Sequence, residues 1–286
     1  MTDEHWQLTT DLTEFLATAT LFLHSSPVHH TVPLTVTENL RNQGTTMYGD
    51  QPPLFGTLTG ADGKVEAAFF HTPPFSLNVT RLTPDRTESL VEALLRHRHP
   101  LPGVTADDRT AEAFAAGWRR ATNATATVYR HERLYQLGEL TPPEPVPPGR
   151  ARVAGPADHA WLRAWNDAFT ADVGNPRPIA DSLLTARIAA GSFTVWETPD
   201  GTPVSMASAT DQVAGQIRIV TVYTPPEHRA RGYAGAATAE ASRRARASGA
   251  QEVLLFTDLG NPTSNALYQR IGYRPVQDFT VYEFQD

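Results

Sequence analysis

Nine residues in the middle of the chain, Thr141-Pro142-Pro143-Glu144-Pro145-Val146-Pro147-Pro148-Gly149, constrain the fold more than any other feature. Proline has no backbone N–H to give to a helix or a sheet ladder, so a run this dense in proline is the interior of neither. It reads as a linker at 141–149, dividing the 286 residues into stretches of similar length, 1–140 and 150–286. Each is long enough to bury its own core.

With 40% hydrophobic and 19% charged residues the chain is globular rather than disordered, collagenous or coiled-coil. A net charge of −7 and a pI near 5.8 advertise no basic face, so nucleic acid is not an expected partner. The absence of cysteine excludes disulfides, thiolate metal sites and a cysteine nucleophile. The longest apolar run, around Leu16 to Leu23, is shorter than the ~20 residues of a membrane span, and Thr2-Asp3-Glu4 is unlike a signal peptide. A cytoplasmic location without membrane contact is expected. Lys64 is the single lysine among 24 basic residues, a bias that GC-rich bacterial codons explain.

The second half reads as α-α-β-β-β-α-β-α-β. Asp158 is placed to cap a helix carrying Trp161, Leu162, Trp165, Ala168 and Phe169 on a core-facing side, and Ile179 to Ala190 repeats the spacing. Phe193–Trp196 and Val204–Ala207 flank the turn Pro199-Asp200-Gly201, and Ile217 to Thr224 is a third strand. The alanine-rich stretch Gly232 to Ser248 is a helix closed by Gly249, and Glu252 to Thr257 is a nearly continuous apolar strand. Asn261 and Pro262 open a helix that Gly272 closes, and a last strand runs near Phe279 to Phe284.

The first half predicts an early helix near Trp6 to Phe22, a hairpin across Asp62-Gly63, helices near Thr87–Leu95 and Thr110–Ala121, and a strand from Thr125 to Leu137. The similar order suggests a duplicated architecture; Thr-Pro-Pro at 72–74, 141–143 and 224–226 is a weak sign of repetition. His24, His29 and His30 lie close together without nearby carboxylates or cysteines, so helix-end packing is expected there rather than a metal.

The chemistry lies in Val222-Tyr223-Thr224-Pro225-Pro226-Glu227-His228-Arg229-Ala230-Arg231-Gly232-Tyr233-Ala234-Gly235, which runs from strand through loop into helix. Small residues at 232, 234 and 235 allow close backbone approach, and first-turn amides lack intrahelical partners. Such a helix start cradles anions, and with Arg229 and Arg231 adding positive charge a diphosphate is the natural occupant. An ordinary helix start after a proline loop is the other reading. The glycine spacing fits neither G-x-G-x-x-G nor a Walker loop.

Arg229-Ala230-Arg231-Gly232-Tyr233-Ala234 resembles the R/Q-x-x-G-x-G/A signature of the GNAT acyltransferase superfamily. Asn261-Pro262-Thr263-Ser264-Asn265-Ala266-Leu267-Tyr268-Gln269-Arg270-Ile271-Gly272-Tyr273 resembles its N-x-x-A-x-x-L-Y-x-x-x-G-F block, with Ser264 for Ala and Tyr273 for Phe. The resemblance implies an α/β fold of two tandem GNAT-like domains, each a mostly antiparallel sheet flanked by helices. The catalytic one is expected at 150–286 and a degenerate one, without a coenzyme loop, at 1–140. It implies acetyl-CoA as co-substrate and no metal. Backbone groups of Val222, Tyr223 and Thr224 would pair with the pantetheine arm, and amides through Arg231, Gly232, Tyr233, Ala234 and Gly235, beside Arg229, would hold the diphosphate. Asn261 would contact the pantetheine or cap its helix, and Ser264 and Tyr268 would lie along the same cofactor.

For acetyl transfer to an amine, Tyr268 would protonate the departing sulfur as general acid, or else pack as an ordinary core tyrosine. No general base is legible, since Arg218 is the one ionisable side chain between Ile217 and Val222. Asp172, Asp167, Glu227 and Asp258 are the candidates for holding a cationic substrate, with solvated surface charge as the other reading of each; Asp172 leads because Gly174-Asn175-Pro176 suggests a loop that turns inward. The expected acceptor is a small-molecule amine. A protein or peptide amine, or a non-catalytic coenzyme sensor, are the alternatives. Oligomeric state is not legible.

Overall fold

A computed structural model of the chain describes residues 5–174 and 179–285. The chain forms two compact units. The first takes residues up to Leu134 together with Asp258–Gly260 and the segment from Val276 onward; the second takes Tyr135–Thr257 and Asn261–Pro275.

The first unit begins with β1 (Trp6–Thr9), where a helix was expected. Asp11 explains the difference: its carboxylate accepts from the Thr13 and Glu14 amides at 2.7 and 3.3 Å, which starts α1 (Leu12–Ser25) six residues after the tryptophan. Trp6 instead pairs with Leu58 and sinks into the core, its indole donating to Ser89 Oγ at 3.1 Å. Next comes α2 (Thr31–Gln43), which propensity hides, since its buried face includes Thr31, Thr35 and Thr37. Two of those threonines satisfy their hydroxyls within the helix, on the Thr31 and Pro33 carbonyls at 2.7 Å.

The hairpin β2 (Leu54–Thr59) and β3 (Val65–His71) turns at Asp62-Gly63 as expected, with Gly63 at φ +77 and Asp62 capping the Lys64 amide. Then follow β4 (Leu77–Val79), α3 (Pro84–Arg96), β5 (Gly103–Asp107), α4 (Asp108–Thr122) and β6 (Thr125–Leu137). β2, β3 and β4 pair antiparallel, and β4 pairs parallel with β5. Phe69, Leu90, Val104, Phe114 and Trp118 centre the core.

The second unit comprises β7 (Arg150–Val153), α5 (His159–Asp172), α6 (Asp181–Ala189), β8 (Phe193–Glu197), β9 (Pro203–Ser208), β10 (Gln216–Ile219), α7 (Tyr233–Ala247), β11 (Glu252–Asp258), α8 (Pro262–Arg270) and the start of β12 (Tyr273–Gln285). β7, β8 and β9 are antiparallel, and β10 is parallel to β11. Asp158 does precede α5, but its carboxylate accepts from the Gly155 amide and from Arg152 instead of from that helix's own amides. Trp161, Trp165 and Phe169 pack against the core of this unit.

The element order β-α-α-β-β-β-α-β-α-β therefore occurs twice, each time with a parallel pair around a crossover helix. The Thr-Pro-Pro triplets do not follow that repeated order. They stand before β4, between β6 and β7, and after β10, which are three different places in the repeat. The fold is mixed α/β with mostly antiparallel sheets flanked by helices.

Against the expected boundaries at 140 and 150, neither unit is one continuous piece of chain. The last residues of β6 count with the second unit, and β12 from Val276 counts with the first. Residues 141–149 run along the surface of the second unit, largely exposed but held to it at a few points. The Thr141 amide donates to Ile271 O, Pro147 is buried, and the Trp196 indole donates to Pro148 O. Proline rings are apolar and carry no N–H to satisfy, so they bury against a neighbour at little cost.

Candidate active site

The site starts at a defect in the sheet. Ile219 bridges Ala209 whereas Tyr223 bridges Met206, so the register slips by one residue and the chain after β10 carries one residue more than β9 opposite it. The ladder between β10 and β11 ends at Ile219–Leu255. Tyr223 exchanges both main-chain hydrogen bonds with Met206, at 3.0 and 2.9 Å. Strand alternation then turns the peptide groups of Val222 and Thr224 to the opposite edge. Their amides meet no partner among the described residues. Ser205, which the sequence reading missed, steadies this segment: its hydroxyl donates to Tyr223 O at 3.1 Å and lies 2.8 Å from Thr224 Oγ1.

The chain next makes a 3-10 turn at Pro226–His228 and enters α7 through Gly232, which holds the left-handed conformation at φ +82. An L side chain is strained there, which accounts for glycine. The first intrahelical bond is Ala236 N–H to Gly232 O at 3.1 Å, so the Tyr233, Ala234 and Gly235 amides have no acceptor within the helix. A 15-residue helix also places its positive dipole end here. Sequence reading treated Gly235 as open to a ligand. Its bare Cα is instead covered by the strap at 141–149 and by α8: a Cβ there would lie 3.3 Å from Pro143 Cγ and 3.7 Å from Leu267 Cδ1. Gly232 is exposed, and a Cβ there would lie 3.9 Å from the Pro147 ring.

Of the two arginines, Arg231 is exposed and Arg229 is engaged. Arg229 Nε donates to Thr224 O at 2.9 Å, and its Nη2 donates to Asp172 at 2.7 Å. The structure thus joins two expected site residues, tying α5 to the loop through a half-exposed ion pair. Asp172 already has a cation. The inward loop expected at Gly174-Asn175-Pro176 falls partly outside the described residues. His228 is half-buried, and its Nδ1 has no partner among the described residues.

α8 supplies the remaining groups. Asn261 Oδ1 accepts from the Ser264 amide at 3.0 Å, so its side chain caps the helix. Tyr268 is 8% exposed and its ring meets Tyr273 edge-on at 6.2 Å between centroids. Burial pushes its phenol up to about 12, which keeps the proton on oxygen at physiological pH. No hydrogen-bond partner for that hydroxyl occurs among the described residues. The ring packs in the core, as one of the two readings expects. Arg218 faces away into a cation–π contact, 5.8 Å from the Phe256 ring. No group of three or more His, Cys, Asp or Glu that could hold a metal occurs among the described residues.

The second unit therefore offers unpaired strand amides, a helix start whose first three N–H groups have no acceptor within the helix, and a neutral phenol without a protein partner. Residues 158–273 match the profile of the Acetyltransferase (GNAT) family. A comparison with curated protein sequences finds no match. Solved structures share the whole-chain fold. A Drosophila protein matches at TM-score 0.69 and 15% identity, covering 99% of each chain. A GCN5-related N-acetyltransferase from Sphaerobacter thermophilus matches at 0.61 and 19%, covering 97% of this chain and 94% of its own. A GNAT-family acetyltransferase from Colwellia psychrerythraea matches at 0.57 and 14%, covering 98% of each. No helix of the described residues is long and apolar enough to cross a membrane.

Proposed function

We propose that the protein acetylates the amine of a small molecule by direct transfer from acetyl-CoA, with Tyr268 as general acid. The observation that carries this reading is the Tyr268 hydroxyl, protonated by burial yet without a protein partner. The ring is buried, but its oxygen is not among the buried polar atoms left without a partner, so the hydroxyl is reachable and free to donate to a ligand. Acetyl-CoA supplies the acetyl group as a thioester. The free amides of Tyr233 and Ala234, with the exposed Arg231 beside them, fit its diphosphate; Gly235, shielded by Pro143, contributes less than its sequence suggests.

The Val222 and Thr224 amides are donors at the strand edge, and Thr224 N–H is suited to polarise an acyl carbonyl in the manner of an oxyanion hole. Tyr268 Oη gives its proton to the sulfur as the C–S bond breaks and the C–N bond forms, and the proton lost by the amine leaves through water. An alkylammonium of pKa ~10.4 costs about 4–5 kcal/mol to deprotonate near neutrality, so an acceptor with a less basic amine suits a strand without a base. The acidic balance of the chain favours acceptors that carry positive charge.

The test mixes the protein with acetyl-CoA and a panel of amines while free thiol is followed. Tyr268→Phe should lower kcat by about 10²-fold, within the range of general acid catalysis, and leave coenzyme affinity within twofold. Unchanged turnover removes Tyr268 from the mechanism. A second reading, a coenzyme-binding sensor, draws on the lack of any carboxylate or histidine between Ile217 and Val222; coenzyme binding without thiol release across the panel would support it.

A further inference from the structure

The first unit contains a cavity of about 260 Å³ that the acetyl-transfer reading does not use. It opens where β4 and β5 end, between Asn78–Arg81 and Asp107, and is closed by the loop between α1 and α2 and by Gln277 and Phe279 of β12. Crevices at the carboxyl ends of adjacent parallel strands are where open α/β sheets hold ligands, and β4–β5 is a parallel pair. In the second unit the corresponding strand ends lead to the free amides of α7. Here α3 starts instead with Thr83 and Pro84, so the cavity depends on side chains for its chemistry.

Those side chains carry one charge of each sign. Asp107 is 5% exposed; one carboxylate oxygen accepts from the Thr110 hydroxyl at 2.7 Å, and the other has only Arg81 Nε at 3.9 Å. It precedes α4 yet caps none of that helix's amides. Arg81 is largely exposed at the rim, with one amino group on Gln277 Oε1. His29 and His30 are neutral at pH 7. Burial lowers both, helped at His29 by the charge of Arg81, and His30 Nδ1–H donates to Leu23 O at 3.1 Å.

A lone anion drawn to Arg81 would meet the Asp107 carboxylate, and a lone cation drawn to Asp107 would meet the guanidinium. A molecule with both charged groups on one carbon satisfies both. The volume is below the roughly 300–1,000 Å³ of drug-sized pockets, which restricts the occupant to a small one. We infer that this cavity is a binding site for a free α-amino acid, its ammonium on Asp107 and its carboxylate on Arg81.

The test is isothermal titration of the full chain, without acetyl-CoA, with the standard α-amino acids and with the N-acetyl and amide derivative of each. N-acetylation removes the ammonium and amidation removes the carboxylate. The expected result is saturable binding of at least one free amino acid at one site per chain, with both derivatives about tenfold weaker or worse. Asp107→Asn and Arg81→Gln should each weaken it by about the same factor, whereas Tyr268→Phe should not change it. Absence of binding up to about 10 mM, or binding indifferent to both Arg81→Gln and Asp107→Asn, overturns the inference. If Asp107→Asn does not fold, Arg81→Gln at its exposed position and the two derivatives decide the matter. Loss of acetyl transfer in the amine panel would leave this result standing, because neither variant touches the second unit.

Discussion

His71 makes the first unit sensitive to mild acid, and the size of the effect follows from its surroundings. The side chain is 1% exposed. Its Nε2–H donates to Phe75 O at 2.8 Å, so its Nδ1 carries a lone pair and accepts from His99 Nε2–H at 2.6 Å. Burial first, and the neighbouring His99 second, push His71 down to about 4, with the Phe75 carbonyl acting in the opposite direction. In the unfolded chain it titrates near the ordinary 6.5. Between these values the unfolded state holds a proton that the native state refuses, so stability rises with pH across the window and is lost as pH falls from 6.5 towards 4. Two and a half pH units at about 1.4 kcal/mol each give a loss of roughly 3 kcal/mol when the window has been crossed, and about 2 kcal/mol by pH 5. His99, also lowered by burial, adds in the same direction. Urea unfolding of the wild type and of His71→Gln at pH 7.5, 6, 5 and 4 measures this. The variant is less stable at pH 7.5 but has a flatter slope below 6.5. A wild-type curve that is level between pH 6.5 and 5, or a variant with the same slope, refutes the argument.

Three further outcomes are expected. Gly272→Ala destabilises by about 3 kcal/mol or more in thermal or urea melts, because φ is +103 and the new Cβ would sit 1.9 Å from Glu139 O, a backbone atom. Asn261→Ala removes the cap of α8 and lowers stability by about 1 kcal/mol, with Asn261→Asp retaining most of it. Asp172→Asn, which breaks a half-exposed ion pair, changes stability by less than about 1 kcal/mol; a tenfold rise in KM for cationic amines with kcat held would assign it to substrate binding.

What was legible in the sequence is what short-range chemistry decides. The turn at Asp62-Gly63, the left-handed glycine at 249 and the Asn261-Pro262 helix start each depend on a few adjacent residues, and they occur where expected. β4 has three residues and β5 five, too short for a period to declare itself, and the threonines of α2 mask a helix. The extra residue between Ile219 and Tyr223 is invisible because Val220-Thr221-Val222 continues a β-branched run without interruption. The site residues were found through their motifs, but what restrains them was not. Arg229 and Asp172 are 57 positions apart, and Pro143 reaches Gly235 from 92 positions away. Nothing local announces either meeting.

The chain's halves trade their ends. The tip of β6 counts with the second unit, whereas β12 beyond Pro275 counts with the first. A gene fragment starting at codon 150 would encode a transferase stripped of one border strand and burdened with another that belongs elsewhere. Shuffling either half into a new protein therefore means moving both crossing segments with it.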